Sequence, residues 1–360
     1  MNLVASDVIG LTADRIDTPA VLIDCDVLER NIRRLADYLA QHSLASRPHI
    51  KSHKIPEIAR AQMDAGSVGI TCQKLGEAEV MADAGLTDIL IPMNIVGEQK
   101  TGRLVALMRR ARIAVTTDSL AVAQSLSAAA CEAAFILPVL VECDTGQGRC
   151  GVQSPAEATE LAQEIARLPG LRFDGLLTFP TSRTAGEFMV AATRLLAEQS
   201  LSPRVVSGGG TPGVWHSHEI RGFTEHRAGE YVFNDRNSIA AGEARPEDCA
   251  LRVRATVVSR PTADRAVLDS GSKTLSSNPG RGITGFGLIV EYPEAQLVRL
   301  TEEHGIVDLS QCRRKPAIGE CITIIPNHAS QVMNLHDVAY GMRGRLVEVA
   351  WPVHARGCVQ

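Results

Sequence analysis

Residues 135–179, FILPVLVECDTGQGRCGVQSPAEATELAQEIARLPGLRFDGLLTF, decide the fold. The stretch opens on FILPVLVE, a nearly continuous apolar run of the kind found in strands buried on both faces. It passes through the Gly-punctuated loop ECDTGQGRCGV at 142–152 into SPAEATELAQEIARL, where apolar residues recur at helical spacing. It ends on FDGLLTF, a second β-rich run. Strand, crossover helix and strand make the repeating unit of a parallel sheet.

The same alternation runs outward in both directions, from about residue 18 to 240. The strand candidates are AVLID, RPHIK, VGITCQ, DILIPMN, RIAVTT, FILPVLVE, FDGLLTF, RVVSGGG and HRAGEYVF. Helix-like segments rich in Ala, Leu and Glu lie between them, among them VLERNIRRLADYLAQ, IPEIARAQMDAG, KLGEAEVMADAG and AGEFMVAATRLLAEQ. This is one strand more than a closed barrel needs, and AVLID is read as its lead-in segment. The number and spacing of the repeats favour a (β/α)₈ TIM-type barrel over an open doubly wound sheet. After GEARPEDCA the pattern changes to strands without amphipathic helices: LRVRATVVSRP, RAVLDSGSK, QLVRL, CITIIPNH and RLVEVAWPV. The expected organisation is an α/β barrel over residues 18–243 and a C-terminal β domain over 244–360, with residues 1–17 packing on the latter.

Composition narrows the function. With 45% hydrophobic and 22% charged residues, the 360-residue chain is too apolar for disorder. Its formal net charge of −4 and pI near 6.2 offer no basic field for nucleic acid. The N-terminal residues carry no signal-peptide pattern, and no stretch reaches the length of a membrane span, so a soluble cytoplasmic protein is expected. Nine cysteines without a CxxC pair suggest neither a disulfide framework nor a structural zinc site.

Four stretches could carry chemistry. In RPHIKSHK at 47–54, Lys51 directly follows a β run, which places it at the C-terminal mouth of the barrel, where catalytic groups of this architecture collect. A lysine there can form a Schiff base with an aldehyde cofactor, its neutral form favoured by His49, His53 and Lys54; the alternative is a basic surface turn. In SGGGTP at 207–212, Gly208, Gly209 and Gly210 after a late strand let backbone N–H groups approach a phosphate. Arg149 in the loop after FILPVLVE could hold a phenolate or carboxylate, or pair with Glu142 or Asp144. In IPNHASQVMNLHD at 325–337, His328, His336 and Asp337 are of types that bind divalent metals, although their spacing fits no common zinc signature.

Taken in order, RPHIKSHK, TCQKLGEAEV, VECDTGQGRCGV, SGGGTP, EHRAGEYVFND, VLDSGSK, EEHG, PNHA, NLHD and WPVHARG resemble the D-threonine aldolase and D-serine dehydratase family. These are fold-type III pyridoxal phosphate enzymes, alanine-racemase-like, and the resemblance runs from Thr18 to Gly357. It implies a pyridoxal 5′-phosphate-dependent lyase acting on a small D-β-hydroxy amino acid, as a homodimer. By the same resemblance Lys51 carries the cofactor, and Gln73, Arg149, Ser207, Gly208, Gly209 and Gly210 contact it. His53 is the base for the substrate β-hydroxyl, and His328 is the metal histidine.

Two departures stand out. The family tyrosine after the sixth strand is Phe179 in LLTFPT, and the metal pair His-x-Cys or His-x-Asp is replaced by His328-Ala329-Ser330. A serine hydroxyl stays protonated at neutral pH and binds divalent ions weakly. The expectation is therefore a weak metal site completed by water and Asp337, or no metal. That tilts the reading towards D-threonine aldolase chemistry, with a D-serine or 3-hydroxy-D-aspartate dehydratase as the alternative. A racemase would need a second base, usually tyrosine, and none of Tyr38, Tyr231, Tyr292 and Tyr340 lies in a suitable motif. A non-catalytic pyridoxal phosphate carrier would lack the C-terminal β domain.

Overall fold

Strand β6 (Leu137–Cys143) is buried along nearly its whole length and pairs in parallel with β5 (Arg112–Thr117) on one side and β7 (Leu171–Thr178) on the other. In the computed structural model, which describes residues 5–360, the pairing continues through β4 (Asp88–Ile91) to β3 (Ile70–Thr71), and through β8 (Val205–Gly209) and β9 (Glu225–Arg227) to β2 (Ala45–Ser46). Backbone bonds from Val68 N to Ser46 O, 2.9 Å, and from Thr71 N to Pro48 O, 2.8 Å, join the two ends of this eight-stranded sheet. The result is the expected (β/α)₈ barrel, with Leu90, Leu140 and Leu177 clustered beside Ala114 and Val205.

Helix α1 (Cys25–Gln41) precedes the barrel strands, and α2 (Pro56–Asp64), α3 (Leu75–Asp83), α4 (Glu98–Met108), α5 (Leu120–Glu132), α6 (Pro155–Arg167) and α7 (Arg183–Glu198) connect them. Local chemistry sets the helix starts. Ser154 Oγ accepts the Glu157 N–H ahead of Pro155 in the first turn of α6, and Ser182 Oγ accepts the Ala185 N–H at α7.

The strand AVLID does not lead into the barrel. As β1 (Ala20–Asp24) it runs antiparallel to β10 (Leu251–Thr262) and parallel to β16 (Val338–Arg343), inside the second sheet. Its Val21 and Ile23 are fully buried. An apolar run of five residues fits either kind of sheet, so its composition could not assign it. That nine-stranded sheet also holds β11 (Arg265–Leu268), β12 (Gly287–Ile289), β13 (Gln296–Leu300), β14 (Gly305–Asp308), β15 (Cys321–Pro326) and β17 (Leu346–Pro352). Three short helices accompany it, α8 (Arg236–Ala240), α9 (Ser272–Leu275) and α10 (Ala329–Met333). Of the segment 1–17, residues 1–4 lie outside the described residues; further on, Gly10 N donates to Val347 O and Val8 clusters with Met342 and Val347.

The chain forms two compact units. The β unit comprises the described residues up to Arg33, Ser52–Ile55 and Glu230–Arg356; the barrel unit comprises Arg34–Lys51, Pro56–Gly229 and Gly357–Gln360. Among the described residues no helix is long and apolar enough to cross a membrane.

Candidate active site

In the barrel unit, His49 ends the first barrel segment, donating its N–H to Ala228 O and bridging to Thr71. Lys51 follows in the short 3₁₀ turn Ile50–Ser52. Its backbone N–H reaches His49 Nδ1 at 3.4 Å, and His49 Nε2 lies 3.1 Å from Gln73 Oε1. Gln73 Nε2 donates to Pro92 O at 3.0 Å, which orients the amide so that its oxygen faces His49. The imidazole therefore accepts at Nδ1 and donates at Nε2, and Gln73 reaches the Lys51 turn through His49.

Phe179, where the resemblance implies a tyrosine, has two cationic side chains near its ring. Lys51 Nζ lies 5.9 Å and Arg149 Cζ 5.4 Å from its ring centroid. Arg149 belongs to the loop after β6. That loop is shaped by Asp144 Oδ1, which accepts the N–H groups of Gly146, Gln147 and Gly148, and by Asp118 Oδ2, which accepts the Gly151 N–H at 2.8 Å. Gly151 has φ +123°, and a Cβ there would run into the backbone of Asp144. Arg149 keeps only a loose 3.8 Å contact with Glu142, and half of its side chain is exposed. Burial pushes the Glu142 carboxyl above its ordinary range, while Arg149 draws it down.

The glycine cradle closes β8. A Cβ on Gly208 would collide with Thr181 Oγ1 and press on the Phe223 ring, so only glycine leaves this space open. Thr181 Oγ1 and Thr211 Oγ1 are buried with no hydrogen-bond partner. Buried hydroxyls are rarely left in this state, and a phosphate oxygen is the acceptor such a pair lacks. The Ser207 hydroxyl, expected in the cradle, points elsewhere: it donates to Glu225 Oε1 and accepts from Arg227 Nη1, both at 2.5 Å. Arg227 is buried and its guanidinium also reaches Thr178 O, at 2.8 Å, so it ties β7, β8 and β9 together beneath the cradle. His226 Nε2 donates to Gly210 O at 2.8 Å, and burial pulls this imidazole down to about 4.

In the β unit, His53 is fully buried, and its Nδ1 accepts the Ile55 N–H at 3.1 Å. His328 Nδ1 lies 2.7 Å from Glu230 Oε1 and 3.5 Å from Asp235 Oδ2. Yet Nδ1 is buried without a partner in hydrogen-bond geometry. Burial opposes charge on this ring, but Asp235 and Glu230 outweigh it and raise the imidazole to about 9. The other two candidates from the same motif are engaged elsewhere: His336 Nε2 contacts Thr274 O at 3.1 Å, and Asp337 pairs with Arg356. The partners of His328 come instead from EHRAGEYVFND. That motif stood among those carrying the resemblance, but Glu230 and Asp235 were not singled out within it.

Residues 23–237 match the family of the alanine racemase N-terminal domain, and 250–342 match the serine dehydratase domain. A D-threonine aldolase of Arthrobacter is 34% identical, the match covering 95% of this chain and 93% of the relative. The crystal structure of a D-threonine aldolase from Filomicrobium marinum superposes with a TM-score of 0.89 at 35% identity, over 98% of this chain and 99% of that one. The D-threo-3-hydroxyaspartate dehydratase of Delftia superposes at 0.86 with 29% identity, over 95% and 98%. A variant of a dehydratase of that name has been solved in a metal-free form. The chain belongs to the D-threonine aldolase and D-serine dehydratase family of alanine-racemase-like, fold-type III lyases.

Proposed function

We propose that the protein is a pyridoxal 5′-phosphate-dependent D-threonine aldolase, cleaving a D-β-hydroxy amino acid to glycine and an aldehyde. The observation that carries the cofactor is the pair of orphaned hydroxyls, Thr181 and Thr211, beside a glycine cradle that a single Cβ would fill. Lys51, held by the His49–Gln73 pair, sits in the same barrel unit. The choice of aldolase rests on the Arthrobacter and Filomicrobium relatives.

When bound, pyridoxal phosphate supplies the electron sink for the bond broken at Cα. Lys51 Nζ is the group that would hold the cofactor. The cradle N–H groups with Thr181 and Thr211 would hold its phosphate, Gln73 orients the Lys51 turn through His49, and Arg149 would bind the phenolate or the substrate carboxylate. Ser207 contributes through β8, its hydroxyl being committed to Glu225 and Arg227. Phe179 offers an apolar face near both cations without a hydroxyl to move a proton. His53 is the base we assign to the β-hydroxyl proton; in the form that accepts the Ile55 amide at Nδ1, its Nε2 carries the ring proton. Acceptance there needs the other tautomer, which gives up that amide bond. A cytoplasmic homodimer completes the reading.

The test is incubation of the holoenzyme with D-threonine, D-serine and 3-hydroxy-D-aspartate. Glycine with acetaldehyde, formaldehyde or glyoxylate supports the aldolase. Ammonia with a keto acid, such as pyruvate from D-serine, makes it a dehydratase instead. Equal turnover of L-threonine would remove the D-specificity.

A further inference from the structure

We infer that the β unit carries a second small-molecule site, which binds a free α-amino acid as its zwitterion between Arg252 and Asp24. Strand register brings these two side chains together. In β1 the fully buried Val21 and Ile23 turn to the core, so Leu22 and Asp24 stand on the other face of the sheet. On that face Leu22 lies across from Arg252 of β10, and Asp24 lies beside Met342 of β16. Arg252 and Asp24 are therefore diagonal neighbours, a separation of roughly 7–8 Å in a sheet.

A cavity of about 360 Å³ opens here, lined by Leu22, Asp24, Arg252 and Met342 and by the exposed Asp14 and Arg345. That volume is in the range of small-molecule sites. Two guanidinium groups and two carboxylates thus surround one space, and none of the four is in an ion pair among the described residues. Arg252 Nε is buried with no hydrogen-bond partner, a state that native proteins seldom leave unfilled. Asp24 does not fill it, because its Oδ1 accepts the Val27 N–H at 3.0 Å and so ties the carboxylate to the start of α1. Opposite charges are held apart on one face with room between them.

The charges select the ligand class. A bare anion drawn to Arg252 would meet Asp24 and Asp14, and a bare cation drawn to Asp24 would meet Arg252 and Arg345, so each singly charged ligand is opposed. A zwitterion sets its carboxylate on the Arg252 fork and its ammonium on Asp24. Leu22 and Met342 supply an apolar wall for an aliphatic side chain. All the lining residues belong to the β unit, and none is among those assigned to the cofactor or substrate, so the site would stand whichever reaction the enzyme runs.

The experiment is equilibrium dialysis of ¹⁴C-labelled L-leucine against the full-length protein loaded with pyridoxal phosphate. One leucine per chain is expected at this site. Unlabelled 4-methylpentanoate, which lacks the ammonium, and 3-methylbutylamine, which lacks the carboxylate, should each compete at least tenfold more weakly than unlabelled leucine. Arg252→Gln and Asp24→Asn should each weaken binding at least tenfold; the asparagine keeps an acceptor for the Val27 N–H. No binding at millimolar leucine overturns the proposal. Binding that survives both variants in full places the ligand elsewhere, at the barrel mouth for example, and also overturns it. So does equal competition by either singly charged analogue. If Arg252→Gln does not fold, Asp24→Asn and the two analogues on the wild type decide by the same criteria.

Discussion

At the level of single residues, the side chains legible in the sequence were those next to a strand end or a run of glycines. Lys51, Arg149 and Gly208–Gly210 could be placed because their neighbours fix where they fall on a barrel. Glu230 and Asp235 could not, because their partners lie far along the chain: Asp235 and the Ala329 amide that it caps are 94 residues apart. Lys51→Ala should abolish the visible absorbance of the bound cofactor, and borohydride should fix the cofactor to Lys51 in the wild type. A reduced label on Lys54 or Lys273 would refute the assignment. His226 gives a second test. Burial depresses its pKa from an ordinary 6.5 to about 4, so the unfolded chain takes up a proton before the folded one does. Stability is complete above pH 6.5 and falls as pH drops through the window down to 4, by roughly 3 kcal/mol at most. Chemical denaturation between pH 7 and 4 should show this loss, and His226→Gln should flatten it. An unchanged slope in that variant would mean that other groups cause the acid sensitivity.

At the level of elements, the helices and the long central strands were readable because each has one periodicity and one kind of surroundings. The short ones were not. β2 and β3 are two residues each, and HRAGEYVF supplies only His226 and Arg227 as strand before turning into Glu230–Val232. The cradle after β8 yields a prediction with two opposite signs. An unpartnered buried hydroxyl costs about 1–3 kcal/mol, so Thr181→Val, nearly equal in shape, should leave the cofactor-free protein as stable as before or more so. The same change removes a hydrogen bond to a charged phosphate, worth about 1.5–3 kcal/mol, or roughly ten- to a hundredfold in cofactor affinity. Gly208→Val should weaken the affinity further by filling the cradle. Melting of the apoenzyme and fluorescence titration with pyridoxal phosphate separate the two effects. Unchanged affinity in a folded Thr181→Val protein would exclude this hydroxyl from the phosphate site.

At the level of the whole molecule, the change in composition near residue 244 marks where barrel-type repeats stop, but the chain does not divide there. It passes between the two units at 33/34, 51/52, 55/56, 229/230 and 356/357. Composition senses the local alternation of elements and is blind to a strand that pairs with partners from the far end of the sequence, as β1 does with β10 and β16. The last segment likewise returns to the barrel unit, where Gly76 N donates to Gln360 O at 3.0 Å and a Cβ on Gly76 would stand 3.1 Å from the Cys358 side chain. A fragment ending at residue 243 would therefore carry β1 with both edges unpaired and with Val21 and Ile23 stripped of cover. An apolar strand with two open edges is a template for aggregation. It would also lack the C-terminal residues that pack on α3. We expect fragment 1–243 to be insoluble on its own, and to be recovered in soluble form when 244–360 is co-expressed to restore β10, β16 and the C-terminal segment. Solubility, light scattering and far-UV circular dichroism of the two preparations provide the measurement. A soluble, cooperatively melting 1–243 fragment would show that the barrel tolerates the loss of these partners, and that the composition boundary is a folding boundary after all.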